Sequence, residues 1–140
     1  MSLSNEERDA IVFYRMQKAI DTFNEAQGIS QLGYWNAVVN RLYYSCYYIT
    51  SALLIKNGHT AQTHGGVIRL FGLNFVLKGV VPPELSRFYS KLFELRQTGD
   101  YDDLYNMTED EVKPLIEVAS TYIEFISVLL TKNDIDPENL

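Results

Sequence analysis

Residues 31–56 read QLGYWNAVVNRLYYSCYYITSALLIK, and this stretch decides the fold. Trp35, Val39, Leu42, Cys46, Ile49 and Leu53 alternate steps of four and three. One side of a helix is therefore apolar over its whole length, the pattern of a bundle seam. A second stripe on the same segment, Asn40, Tyr44, Tyr47 and Ser51, is polar and aromatic, with Arg41 beside it. Its hydroxyls and amides need partners, which neighbouring helices, a second copy of the chain or a bound ligand can supply. Gly58 supplies the stop.

The helical period extends in both directions. Phe13, Met16, Ile20, Phe23 and Gln27 predict a first helix over residues 5–26, closed by Gly28. Thr63 is the expected N-cap of a shorter third helix carrying Val67, Leu70, Phe71 and Phe75, ended by Gly79. Pro82 and Pro83 open a fourth, where a missing N–H costs nothing, and Leu85, Phe88, Leu92 and Leu95 form its buried ladder. Thr108 and Glu111 have capping-box spacing for a last helix striped by Val112, Leu115, Ala119, Tyr122, Ile126 and Leu129, with Pro114 expected to bend it or delay its start. No alternating strand pattern survives. The expected architecture is all-α, an up-and-down bundle of about five helices with antiparallel neighbours, in one domain over residues 1–132 and an acidic flexible tail over 133–140.

Composition narrows the class. The single cysteine, Cys46, lies in an apolar and aromatic run, so an intrachain disulfide is excluded and a reducing compartment is expected. The polar, acidic N-terminus lacks signal-peptide character and no apolar run suggests a membrane span, so a soluble, cytoplasmic protein is expected. The net charge of −6 disfavours nucleic acid, yet the distribution is uneven. Residues 1–98 carry ten Lys/Arg against seven Asp/Glu, whereas residues 99–140 carry two against eleven. Arg15, Lys18, Arg41, Arg69, Arg87, Lys91 and Arg96 are candidates for a basic surface, although scattered charges on solvated helix faces are the commoner outcome.

The chemistry concentrates at LFELRQTGDY, residues 92–101. Arg96 falls beside the ladder of the fourth helix, above Tyr89 and Phe93, at the edge of the core. There its permanent charge and fork of donors suit a phosphate, or simply the helix C-terminus. His64 follows the Thr63 cap and reads either as a loop-bonding residue or as a catalytic group, while His59 beside Gly58 reads as an exposed turn. No second histidine or cysteine stands at metal-ligand spacing, so no zinc site and no cofactor are expected. Asp100, Asp102 and Asp103 form a carboxylate cluster that reads as a cation site or, more commonly, a solvated loop. Gly65 and Gly66 permit close backbone approach of a helix or an anion. Phosphate-loop, dinucleotide and nucleophile-elbow signatures are absent.

NRLYY at residues 40–44, THGGVIRLFGLNFV at 63–76 and LFELRQTGDYDD at 92–103 together resemble prokaryotic HEPN-domain proteins over most of the chain. The resemblance implies a homodimer of five-helix bundles, often encoded beside a small nucleotidyltransferase. In some branches it implies a metal-independent ribonuclease of toxin–antitoxin or defence systems. Carried across, the arginine of the family's arginine-to-histidine motif matches Arg96, with Asn40, Arg41, Tyr44 and Asp100 as companion residues for nucleotide or RNA. The histidine's place is taken by Tyr101. Freeing a tyrosine proton at neutral pH costs on the order of 4 kcal/mol, so Tyr101 is a poor base. The favoured expectation is thus a dimeric module without the usual catalytic histidine, serving a nucleotidyltransferase or contacting nucleotide or RNA. The alternatives are a ribonuclease using Arg96 with Tyr101 or His64, and a structural helical adaptor. The resemblance also implies Tyr101 or Tyr105 as an acceptor of transferred nucleotide.

Overall fold

The computed structural model describes residues 3–102 and 105–132. The tail expected over residues 133–140, and Asp103 of the carboxylate cluster, lie outside these. Five α-helices make up the fold: α1 (Asn5–Ser30), α2 (Trp35–Lys56), α3 (His64–Phe71), α4 (Pro83–Tyr101) and α5 (Glu109–Lys132), with no strand among the described residues. The all-α bundle is as expected.

Local sequence sets the boundaries. Ser4 and Glu7 form a reciprocal capping box at the start of α1. The Thr63 hydroxyl accepts from the Gly66 amide at 2.9 Å to open α3. A side chain at residue 66 would place its Cβ 2.9 Å from that Thr63 oxygen, so glycine is what lets the cap close. Pro83 is the first residue of α4, and Thr108 caps α5 through Glu111. Pro114 does not delay α5, which begins at Glu109. Gly28 does not end α1 either. That helix runs on to Ser30, and the chain reverses at Gly33, whose φ of +77° is open to glycine. Likewise α4 continues past Arg96 through Gly99 to Tyr101, so Arg96 is a mid-helix residue and its relation to a C-terminal dipole falls away.

The third helix also departs from expectation. After Phe71 the backbone widens into a π-helical turn over Gly72–Val76, with the Leu77 amide donating to the Gly72 carbonyl. Steps of four drift around a regular α-helix, and the wider turn brings Phe75 back into line with Val67 and Phe71, all three buried.

α2 is the central element, packed by α1, α3, α4 and α5. Its seam Val39, Leu42, Cys46, Ile49 and Leu53 is fully buried. Burial also pushes the Cys46 thiol far above its ordinary range, which removes it as a nucleophile. α1 and α4 run antiparallel to α2, as Arg15 lies over Tyr48 while Glu25 meets Arg41, and Tyr89 stacks on Tyr43 while Asp100 meets Asn40. α5 is parallel to α2. Asn36 near the start of α2 holds Met107, Thr50 meets Tyr122 at 2.6 Å, and Lys56 reaches the Leu130 carbonyl near the other end.

The face of α1 required correction. Val12, Ala19, Thr22 and Ala26 are buried, whereas Phe13 is 70% exposed and Ile20 is also exposed. Small residues at 19 and 26 allow α1 to lie close against α2, and that approach, rather than side-chain size, selects the buried face. α5 corrects the membrane reading, because Glu109–Thr131 is long and apolar enough to cross one, an 18-residue stretch of it having a mean hydropathy of 1.4. Its apolar residues are interleaved with serine and threonine, so no unbroken run marks it. In the bundle Val112, Leu115, Ala119, Tyr122, Ile126 and Leu130 are buried while Glu117 and Glu124 face outward.

Candidate functional site

Four tyrosines in six positions of α2, Tyr43, Tyr44, Tyr47 and Tyr48, form two pairs spaced by four. The first is turned inward. Tyr43 is buried and stacks on Tyr89 of α4, with centroids 5.8 Å apart and planes 18° from parallel. Its hydroxyl shares a 2.5 Å hydrogen bond with His64 Nδ1, whose direction follows the imidazole tautomer. The loop after α2 thus folds back and sets the first residue of α3 on the aromatic wall. The His64 ring lies 4.7 Å from Tyr47, 5.9 Å from Tyr44 and 6.3 Å from Phe93.

Arg96 meets the same wall from α4. Its guanidinium sits 5.0 Å from the Tyr43 centroid, 5.5 Å from Tyr44 and 5.8 Å from Phe93. These distances are those of cation–π contact. One Nη donates to the Tyr44 hydroxyl at 3.0 Å and pairs with Asp100 at 3.6 Å, one turn along α4. The Arg96 side chain is only 10% exposed and its Nε is buried without a hydrogen-bond partner. Asn40 Nδ2 faces both Asp100 carboxylate oxygens at 3.5 Å, and its Oδ1 accepts from Arg41 at 2.8 and 3.1 Å. Arg41 in turn pairs with Glu25 at 3.7 Å. A polar line therefore crosses three helices, and Tyr44 lies between two guanidinium groups, Arg41 being 5.3 Å from its ring.

The polar stripe of α2 finds its partners here, Asn40 with Asp100, Tyr44 with Arg96 and Tyr47 with the His64 ring. Partial burial, reinforced by the charge of Arg96, holds the His64 pKa below its ordinary value of 6.5. The imidazole beside Arg96 is neutral at pH 7. Tyr101, by contrast, is 79% exposed at the end of α4, and no hydrogen bond or ring contact joins it to this cluster among the described residues. Tyr105 donates to Glu111 at 3.0 Å, and that carboxylate raises the phenol pKa.

Of the seven cations considered for a basic surface, Arg41 and Arg96 flank Tyr44, and Arg15 and Lys18 lie over Tyr48 at 5.6 and 5.9 Å. Arg87 pairs with Glu84 on its own helix. No three of His, Cys, Asp and Glu come together as a metal-binding group among the described residues. Asp100 is engaged by Asn40 and Arg96 instead. Gly65 has open space where its Cβ would stand, and the close approach at Gly66 is to the helix's own cap.

The family model described as HEPN domain matches residues 12–129. A UPF0332 protein of Thermotoga maritima is 35% identical over 124 residues, which is 89% of this chain and 94% of the relative. A protein of Methanocaldococcus jannaschii named "Putative toxin MJ0142" is 25% identical over 125 residues, 89% of this chain and 85% of that one. The crystal structure of TT1696 from Thermus thermophilus superposes with a TM-score of 0.70 at 17% identity, covering 83% of this chain and 95% of that one. This likeness establishes the shared fold.

Proposed function

The chain belongs to the HEPN domain family, and from that premise we propose that it is a toxin-type module that cleaves RNA without a metal, centred on Arg96 and His64. The observation that carries the reading is a neutral imidazole held on the same aromatic wall as a guanidinium. These are the two groups that phosphodiester transesterification needs. With Nδ1 donating to the Tyr43 oxygen, Nε2 holds the free lone pair. It accepts the proton of a ribose 2′-hydroxyl as that oxygen attacks the neighbouring phosphorus and the P–O5′ bond breaks, the departing 5′-oxygen taking its proton from water. Arg96 supplies fixed positive charge to the oxygens that gain it in the transition state. His64 replaces the histidine missing from the position of Tyr101, and the toxin names of relatives agree with this activity.

The module works as a homodimer in this reading. Phe13 and Ile20 have the spacing of a buried helix face yet are exposed on α1, beside Met16 and Phe23, which are partly buried against the core, and such a half-covered stripe suits a second copy. The test is cleavage of a mixed RNA pool at controlled salt, with light scattering expected to give the mass of two chains. His64→Gln is expected to reduce cleavage by roughly 10²–10⁴-fold. The wild-type rate is expected to fall in acid with its inflection below 6.5, because the base must be unprotonated and the fold lowers its pKa. Unchanged cleavage by His64→Gln would refute the assignment.

A second reading, a partnership with a nucleotidyltransferase, has its own support. Tyr101 is open to solvent five residues beyond Arg96, whereas the Tyr105 hydroxyl is bonded to Glu111. Of the two proposed acceptors, Tyr101 is the one whose hydroxyl has no hydrogen bond to give up among the described residues. Co-expression with such an enzyme is expected to add nucleotide mass to wild type and not to Tyr101→Phe. Equal addition to both would move the acceptor elsewhere.

A further inference from the structure

A cleft of about 120 Å³ opens on the far side of Tyr47, between α1, the end of α2 and the loop before α3. At about 30 Å³ per water it has room for roughly four waters and is thus large enough for a phosphate group. Arg15, Ser51, His59, Thr60 and Tyr47 supply its polar lining over an aliphatic floor, and no carboxylate lines it. In a chain with net charge −6, that wall is distinctive. Arg15 projects from α1 with its guanidinium 5.6 Å from the Tyr48 ring, and no carboxylate pairs with it among the described residues. An arginine, an imidazole and hydroxyls lining a recess without acids are the donor set for a tetrahedral anion.

We propose that this cleft is a second phosphate subsite, lodging a phosphate of the strand whose scissile linkage lies at Arg96. Tyr47 belongs to both places, lining the cleft on one side and packing against His64 at 4.7 Å on the other. A strand that crosses Tyr47 meets the cleft and then the wall that holds Arg96 and His64, with tyrosine rings between them on which bases stack. The phosphate site follows from the cleft alone. Its assignment to an RNA strand rests on the ribonuclease reading.

The experiment is an NMR titration of the full chain with inorganic phosphate at constant ionic strength in chloride, read at the His59 ring and the Thr60 amide. Saturable shifts there are expected in wild type, weakened by about tenfold in Arg15→Gln, and those of the Thr60 amide are weakened also in His59→Gln. Shifts confined to other regions, or undiminished in both variants, overturn the proposal. A hexaribonucleotide with a 5′-phosphate, its 5′-hydroxyl counterpart and AMP separate the sources. Preference for the phosphorylated strand that vanishes in Arg15→Gln assigns the subsite to RNA, and equal binding by AMP assigns it to a free nucleotide and overturns the strand assignment. Arg96→Ala keeps the phosphate response at His59 even where cleavage is lost, so failure of the cleft and failure of the ribonuclease reading are seen separately.

Discussion

Alanine at position 96 is expected to lower RNA cleavage by roughly 10²–10³-fold, the usual cost of removing one preorganised donor from a developing oxyanion. The bundle is expected to stay folded. Three cation–π contacts stabilise by about 0.5–1 kcal/mol each at exposed sites and more when desolvated. The Asp100 carboxylate is 34% exposed, so its ion pair adds no more than about 1 kcal/mol. Against these stands the buried Nε without a partner, which costs on the order of 1–3 kcal/mol and disappears with the side chain. The opposing terms leave a net loss of about 1–2 kcal/mol, small beside the effect on rate. Arg96→Lys sharpens the test. It keeps the charge but loses the planar fork that donates to Tyr44 while lying over Tyr43 and Phe93, so it is expected to retain part of the RNA affinity and little of the cleavage. Cleavage by Arg96→Ala at the wild-type rate, on protein of normal thermal stability, would remove Arg96 from the chemistry.

How far such residues are legible in the sequence depends on the range of the contacts that place them. The α2 seam, the Thr63 cap, Pro83 and the Thr108–Glu111 box are local, set by helical period and by atoms within four residues, and each stands where the spacing puts it. Asn40 and Tyr44 announced a need for partners through their shared stripe, and α4 answered with Asp100 and Arg96. His64 could not be placed in this way. Its approach to Arg96 depends on how the segment between Gly58 and Thr63 folds back across α2, and no periodicity records that path. The Arg15 cleft is harder still, since it joins residues from α1, α2 and a loop. Gly28 misled because glycine permits a helix to end without requiring it. Gly99 likewise sits inside α4, where a Cβ would come within 3.1 Å of the terminal methyl of Met107, whose amide Asn36 holds.

The wrong face of α1 and the right face of α2 make a paired expectation. Leu42→Ala is expected to cost about 3–4 kcal/mol, within the range for a leucine truncated in a core. Leu42 is fully buried on α2, enclosed by the helices around it, and the rigid seam cannot collapse into the space left behind. For a domain of this size such a loss lowers Tm by roughly 10–15 °C. Phe13→Ala removes a larger apolar side chain from an equally convincing helical ladder. Because Phe13 is 70% exposed in the single chain, the folding cost at high dilution is expected to stay within about 0.5 kcal/mol. Concentration then separates the two kinds of apolar residue. If the α1 stripe is covered by a second copy, the effect of Phe13→Ala on Tm grows with protein concentration, through mass action on the dimer, while that of Leu42→Ala stays constant. A Phe13→Ala loss as large as that of Leu42→Ala and independent of concentration would mean that the stripe is covered from within the chain, and the buried face of α1 would have to be reassigned.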